Sequence, residues 1–272
     1  ENVERLDEYM RAFNQPNSTI ELEQGTYANT GFTQWGASGL AVAWAEENTR
    51  DSIFKAFKRK ETFATTGTRI AVRFFAGYDL SSIDINSESL VSDAYEKGVT
   101  MGADLMQEEN KTPEFIVWAQ RDKNGAPLQR VQIIKGWIDT NSGRPKEKVY
   151  DVACSDGMNV DPITNRCPDN GARVNISDCS ITNNVGSSEL KTLWKDPDFV
   201  SSNKYFYYVR VLENPTCRWS TWDAIKRGYK PREDLHETIQ ERAWTSPIWY
   251  TPYESDIEVI PLGGTIRLRN ID

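Results

Sequence analysis

Residues able to do acid–base or metal chemistry are few in this chain of 272 residues, which has one histidine, His236, and four cysteines. Catalytic zinc and most general-base machinery use imidazole, and holding a transition metal usually needs two or three such ligands. The cysteines form no Cys-x-x-Cys pair, which argues against a zinc knuckle. We therefore expect no complete catalytic site, and no metal or other cofactor bound by this chain alone.

The cysteines instead predict disulfide bonds. An even number lies in the middle third of the chain, flanked by Pro, Asp, Asn and Gly: Cys154, Cys167, Cys179 and Cys217. Two disulfides imply an oxidising compartment, so we expect a periplasmic or extracellular protein. Four buried free thiols are the alternative. Three connectivities are possible, and the short loop between the first two cysteines favours pairing 154 with 167 and 179 with 217.

Charge and hydropathy exclude two classes of partner. The formal net charge is −8, and an acidic surface repels phosphate backbones, so we expect no nucleic-acid partner. No apolar run approaches the roughly 20 residues that span a bilayer, so we expect no membrane span. Residues 1–15 are charged throughout and begin directly in a helical pattern. We therefore expect a mature or trimmed chain whose amino-terminal portion lies elsewhere.

The element pattern changes near residue 70. Before it, an apolar strand at 40–44 is followed by a helix that Asn48 or Thr49 can cap. After it, apolar residues alternate with a period of two in many short segments punctuated by Gly and Asn, which is typical of an antiparallel sandwich. Two short helices are expected between the strands, at 188–194 and 221–227. The pattern predicts an α+β, mainly β fold with two domains, 1–70 and 71–272.

Several sequence phrases are distinctive and extend in order over residues 37–250. They include Gly39-Leu-Ala-Val-Ala-Trp-Ala-Glu-Glu-Asn48, Leu128-Gln-Arg-Val-Gln-Ile-Ile-Lys-Gly-Trp137, Tyr207-Tyr-Val-Arg-Val-Leu-Glu-Asn-Pro-Thr-Cys-Arg-Trp219 and Glu241-Arg-Ala-Trp-Thr-Ser-Pro-Ile-Trp-Tyr250. These phrases resemble a bacterial family of unknown function related to PHP (polymerase and histidinol phosphatase) phosphoesterases. The resemblance covers most of the chain, and it identifies the chain as the carboxy-terminal part of such a protein.

The resemblance implies a fold and an activity. Residues 1–70 would be the amino-terminal remnant of a PHP-like β/α barrel, and 71–272 an antiparallel β-sandwich-like domain behind it. The whole protein would be a metal-dependent hydrolase of phosphate or related (sulfate) esters, acting on an anionic small-molecule ester. The family's metal ligands are His, Asp and Glu residues of upstream motifs that this chain lacks. The divalent metal is thus expected in an upstream half of the same protein, which would be this chain's partner.

Four residues are candidates for the mouth of that active site: Glu46, Glu47, Arg50 and Arg69. The first three follow the strand at 40–44, and barrel active sites form at the carboxy ends of strands. The planar fork of an arginine suits phosphate or sulfate. Helix capping and ordinary salt bridges are the alternative roles for these residues.

Two further hypotheses stay open. The first is a secreted β-sandwich module that binds glycans or a partner protein through aromatic residues such as Trp222, Trp244 and Trp249. The second is an independent hydrolase with a carboxylate pair drawn from Glu213, Glu237 and Glu241. Core packing and surface acids are the ordinary roles of these residue types. The sequence alone therefore leaves open whether the chain takes part in catalysis.

Overall fold

A computed structural model of the chain describes residues 19–22, 25–28, 38–140, 142–228, 230–253, 257–262 and 265–270. Its helices are α1 (Arg50–Arg59), α2 (Leu90–Lys97) and α3 (Trp219–Lys226), with a 3-10 turn at Leu80–Ser82. Its strands are β1 (Thr19–Leu22), β2 (Gly25–Ala28), β3 (Leu40–Ala43), β4 (Thr62–Thr65), β5 (Ala71–Gly77), β6 (Gly98–Thr100), β7 (Asp104–Met106), β8 (Glu114–Gln120), β9 (Leu128–Ile138), β10 (Pro145–Cys154), β11 (Val174–Asn175), β12 (Ser180–Ile181), β13 (Glu189–Lys195), β14 (Tyr205–Glu213), β15 (Thr216–Cys217), β16 (Thr238–Ile239), β17 (Arg242–Thr245), β18 (Ile248–Thr251), β19 (Ile257–Leu262) and β20 (Thr265–Asn270). The helical pattern at the start of the sequence lies outside the described residues.

Two antiparallel sheets dominate the molecule. The large sheet has the strand order β10-β9-β14-β17-β4-β3, and the small sheet has the order β13-β8-β5-β6. Strand β18 also pairs with β14 and runs parallel to β7. The described part of the chain is therefore mainly β with few helices, as the alternating sequence pattern predicts.

The two sheets share one hydrophobic core. Along β14 the burial alternates, so that Tyr207 and Val209 point inward while Phe206 and Tyr208 stay partly exposed. Inward residues of the large sheet meet those of the small sheet, and the rings of Phe115 and Tyr207 lie 4.5 Å apart. A period of two places every second side chain in the core, which accounts for the sandwich-like arrangement.

The segment before residue 70 joins the large sheet rather than standing apart from it. Strands β3 and β4 form an antiparallel hairpin, and β4 pairs with β17. The strand expected to be buried at 40–44 is β3, which lies at the sheet edge and is partly exposed. Helix α1 begins after Thr49, whose side-chain oxygen accepts a hydrogen bond from the Ser52 amide, as the capping prediction requires. The domain boundary at residue 70 stays a prediction.

The prediction of a short helix at 188–194 is wrong. Residues 189–194 of this segment belong to strand β13, because pairing with β8 along its whole length overrides a pattern that suits either structure. The other expected helix is α3. Helix α2 is a further element that the sequence pattern did not indicate. Its residues Leu90 and Ala94 cover the outer side of the small sheet, against Phe75 and Ile116.

Two disulfides join Cys154 to Cys167 and Cys179 to Cys217, which is the expected pairing. The bonds place the chain outside the reducing cytoplasm. In the described residues, no helix combines the length and apolar character needed to cross a bilayer.

Candidate functional site

A cleft with a volume of about 750 Å³ opens at one end of the large sheet. It is lined by four arginines, the lone histidine, one carboxylate and a set of polar and small residues: Arg130, Arg173, Arg218, Arg242, His236, Asp169, Gln129, Gln240, Thr238, Ile239, Cys167, Pro168, Pro215 and Ala172. Four guanidinium charges therefore face one carboxylate, in a protein whose net charge is −8. The cleft concentrates positive charge on an otherwise acidic molecule.

Strand register brings two of the arginines onto one face. On β14, Leu212 pairs with Arg130 of β9 on one side and with Arg242 of β17 on the other. Residues directly opposite one another in a sheet point to the same face. The two arginines are thus separated by two strand spacings, roughly 10 Å, which leaves room for a small anion between them.

The disulfides hold the walls of the cleft. Cys154 ends strand β10, and its partner Cys167 lines the cleft. Cys217 directly precedes Arg218 and is bonded to Cys179. Both cross-links therefore anchor wall segments to regular structure, so the cleft is held in shape before any ligand arrives.

Arg130 has a buried donor and several charged neighbours. Burial, together with the neighbouring charges of Arg210, Arg166 and Arg242, lowers the pKa of Arg130, against the opposing effect of Asp151. Its Nε atom is buried and has no hydrogen-bond partner among the described residues; the closest carboxylate oxygen is 3.8 Å away. A bound anion would supply a hydrogen-bond acceptor and offset the repulsion among these cations.

The other arginines differ in how far they are already engaged. Arg173 is paired with Asp169 through two hydrogen bonds, of 2.7 and 3.2 Å, and this contact lowers the pKa of Asp169 to about 2. Arg218 is buried, and its Nη1 donates to Ser220 Oγ at 2.9 Å. Arg242 donates through Nε to a main-chain oxygen at 2.9 Å, and it forms no ion pair in the described part of the chain. Arg130 and Arg242 are therefore the best placed to bind an anion.

Two glutamines fix the floor of the cleft. Gln240 Nε2 donates to Gln129 Oε1 at 2.9 Å and to the Glu213 main-chain oxygen at 3.0 Å. Gln129 Oε1 also accepts a hydrogen bond from Arg130 Nη1. These bonds orient the guanidinium group before binding, so the arrangement suits recognition of an oxyanion.

The lining of the cleft is a poor donor set for a metal. His236 is exposed at its rim, and Asp169 is engaged with Arg173. A divalent cation would be repelled by four guanidinium groups, so the donor set does not fit a metal. Across the residues whose placement is described, no group of three or more His, Cys, Asp or Glu could hold a metal ion. The four arginines suit the binding and orientation of an anion.

Three of the predicted mouth residues lie at the start of helix α1. Glu46 accepts a hydrogen bond from Ser52 Oγ at 3.2 Å and forms a salt bridge of 3.0 Å with Arg59. Glu47 and Arg50 are exposed. These contacts are compatible with the structural roles weighed above, and a role for these residues in catalysis stays a prediction.

Arg69 lies apart from those three residues. The β3–β4 hairpin separates them, because α1 leaves from one end of the hairpin and Arg69 follows the other end. The Arg69 amide donates to Asp122 at 2.8 Å, and the nearby Thr66 amide donates to the Arg242 main-chain oxygen at 3.0 Å. Arg69 therefore belongs to the cleft end of the large sheet.

Of the three candidate carboxylates, Glu213 is fully buried and Glu237 is exposed. Neither carboxylate oxygen of Glu213 has a hydrogen-bond partner of good geometry among the described residues, and weaker contacts with Thr68 and the Ala126 amide only partly offset the effect of burial on its pKa. Burial raises the pKa of Glu213 to about 7, with smaller contributions from Glu241 and Asp122. The Glu213 carboxyl is enclosed, and a catalytic pair drawn from Glu213, Glu237 and Glu241 stays a prediction.

This raised pKa predicts a pH-dependent stability. The folded state keeps its proton up to about pH 7, whereas an unfolded glutamate loses it near 4.5. The contribution of Glu213 to the free energy of unfolding is therefore fully present below pH 4.5. It is lost as the pH rises to 7, and the loss amounts to about 3 kcal/mol.

In Glu213→Gln we expect this loss of stability with rising pH to disappear, and we expect the variant to be more stable than the wild type at pH 8. Urea unfolding at pH 5 and pH 8 measures it; Glu237→Gln is the control, and an unchanged slope in Glu213→Gln contradicts the assignment.

Arg130 and Arg242 were not predicted from the sequence as site residues, because they are far apart in the chain and each stands in an ordinary strand. The sequence indicated these arginines only indirectly, because Arg130, Arg218 and Arg242 all lie within the phrases that carry the family resemblance. Strand register, rather than spacing along the chain, brings them together.

Comparisons with known proteins give one result. The model of the family described as "Protein of unknown function (DUF3604)" matches residues 7–252. No curated protein and no solved structure matches the chain. The family match extends over most of the sequence, including both disulfides and every arginine of the cleft. The chain belongs to the DUF3604 family of proteins of unknown function.

Proposed function

We propose that this chain is the carboxy-terminal portion of a metal-dependent hydrolase of phosphate or sulfate esters, in which the arginine-lined cleft binds the anionic group of the ester. The observation that carries the proposal is the convergence of four arginines on one cleft. In this account residues 1–70 end a PHP-like barrel, and upstream residues hold the divalent metal. The disulfides suit a reaction in the periplasm or outside the cell.

The residue types in the cleft suit binding of the anionic group of the ester. Guanidinium groups form charge-assisted, paired hydrogen bonds with phosphate or sulfate oxygens and keep their charge at any physiological pH. The remaining surface is acidic and would repel the same ligand, so a local surplus of positive charge is needed to attract it. Guanidinium groups are the most numerous charged groups in the lining, so the part of the cleft in this proposal is to bind and orient the ester.

Titration with sodium sulfate and with sodium phosphate tests the proposal. At low ionic strength, we expect calorimetry to show that the wild-type chain binds at least one of these anions. Replacing Arg242 or Arg130 by Gln removes a charge-assisted hydrogen bond, which should weaken binding about tenfold or more. Arg50→Gln is the matched control, since it makes the same charge change at the other end of the β3–β4 hairpin.

Two outcomes would contradict this assignment. Absence of binding to both anions would remove the cleft as an oxyanion site. An equal loss of affinity in Arg50→Gln and Arg242→Gln would show that net charge rather than the cleft determines binding. A loss confined to Arg50→Gln would instead favour the mouth residues predicted from the sequence.

A further inference from the structure

The outer face of the large sheet carries a continuous row of aromatic and basic side chains. Along β14, the outward residues are Phe206, Tyr208 and Arg210, which alternate with buried residues. The row starts beside Trp249 of β18 and ends at the cleft, next to Leu212. From residue 206 to residue 212 this outer-face row extends over roughly 20 Å.

The far end of the row is an aromatic platform. The Trp249 and Phe206 rings are 5.4 Å apart and tilted by 51°, and the planes of the Phe206 and Tyr208 rings are nearly parallel, with the ring centres 6.4 Å apart. A Cβ at Gly136 would overlap the Phe206 ring, so glycine leaves room for this ring over the neighbouring strand. Trp249 is 45% exposed and borders a groove of about 420 Å³. Phe206 and Tyr208 are partly exposed as well, so the platform presents aromatic surface to the solvent.

Polar groups border the platform and connect it with the cleft. Lys146, Glu147 and Lys204 line the same groove as Trp249. Towards the cleft, Arg210 donates through Nε to Gln132 at 2.7 Å, and its charge contributes to lowering the pKa of Arg130. The outer-face row therefore changes from apolar and aromatic at one end to strongly cationic at the other.

We infer that the outer-face row binds an anionic oligosaccharide, with sugar rings stacked on Trp249 and Phe206 and a charged substituent in the arginine cleft. Flat ring faces bordered by hydrogen-bonding groups suit the apolar faces and hydroxyls of pyranose rings. The arginines of the cleft select ligands that carry sulfate, phosphate or carboxylate groups. This inference rests on the proposed function, because it names the kind of molecule that carries the ester group.

Single-stranded nucleic acid also combines stacking rings with anions, but two observations favour a saccharide. The chain has a net charge of −8, which opposes a ligand charged at every unit. The two disulfides place it outside the reducing cytoplasm, and so away from the cell's own pool of nucleic acid.

A microarray of sulfated, uronate-containing and neutral oligosaccharides, with oligodeoxythymidine included, tests the inference. We expect the full chain to bind anionic oligosaccharides in preference to their neutral counterparts. The tightest binder is then measured by surface plasmon resonance, where Trp249→Ala should weaken binding about tenfold. Trp222→Ala is the matched control, since Trp222 is similarly exposed but lies on helix α3 outside the row. Melting temperatures show whether each variant is folded.

Binding of neutral sugars alone, binding of oligodeoxythymidine alone, or no binding on the array would overturn the inference. So would an affinity that Trp249→Ala leaves unchanged. Titration with sulfate tests the cleft independently of saccharide binding, because Trp249→Ala should retain the wild-type affinity for inorganic sulfate. If the wild type binds sulfate but no saccharide, only the oligosaccharide inference fails; if it binds neither, the proposed function fails as well.

Discussion

Replacing Asp196 by Ala should lower the free energy of unfolding by about 3–5 kcal/mol. The Asp196 carboxylate lies 2.6 Å from Lys135 Nζ, and both side chains are almost completely buried between the sheets. The Tyr207 hydroxyl donates to the same carboxylate at 2.7 Å. Without it, a buried lysine charge and a buried hydroxyl both lose their main partner. Urea unfolding at pH 7 under non-reducing conditions measures the effect.

The double variant Lys135→Met/Asp196→Ala distinguishes a lost charge pair from a simple cavity. Removing the lysine charge as well should recover part of the stability, because the uncompensated buried charge causes most of the cost. If the single variant unfolds within about 1 kcal/mol of the wild type, then the pair does not hold the core in the way described. If the double variant is less stable than the single one, the cavity rather than the charge is decisive.

Removing the disulfide between Cys179 and Cys217, by changing both residues to Ser, should cost about 4 kcal/mol. The bond joins residues 38 positions apart, and its loss increases the conformational entropy of the unfolded chain. A second effect should appear in the cleft, since Cys217 directly precedes Arg218. We therefore expect weaker sulfate binding even under conditions where the variant remains folded.

The Cys154→Ser/Cys167→Ser variant is the natural comparison for this result. It opens a shorter loop, with a sequence separation of 13, so its loss should cost less, about 3 kcal/mol. Urea unfolding and sulfate calorimetry measure both variants. Unchanged sulfate affinity in both folded variants would contradict the view that the disulfides hold the walls of the cleft.

Much of the fold could be predicted from local pattern. Strand β9 coincides with a strand that the apolar pattern of residues 128–138 predicts, and the turn residues around the cysteines indicate a loop region closed by disulfides. Local pattern failed where pairing decides the structure. Residues 188–194 carry apolar side chains at a spacing that also suits a helix, and only the open edge of β8 makes them a strand.

The cleft could not be predicted from the sequence in the same way. Arg130 and Arg242 belong to strands β9 and β17, which are far apart in the chain, and they become neighbours because both pair opposite Leu212. The residues next to each arginine in the sequence do not indicate how β9 and β17 pair with β14. Glu46 and Arg69 show the converse, since they are close in the chain and are placed at opposite ends of a hairpin. Register is a property of the assembled sheet, so the site depends on information that local patterns lack.

The most direct test of the account is a crystal of the full chain soaked with selenate or tungstate. These tetrahedral oxyanions resemble sulfate and phosphate and are located by their anomalous scattering. The account predicts an anomalous peak inside the cleft, within hydrogen-bond distance of Arg130 and Arg242. A cleft without an ordered anion, while a peak appears beside Arg50 at the start of helix α1, would contradict it.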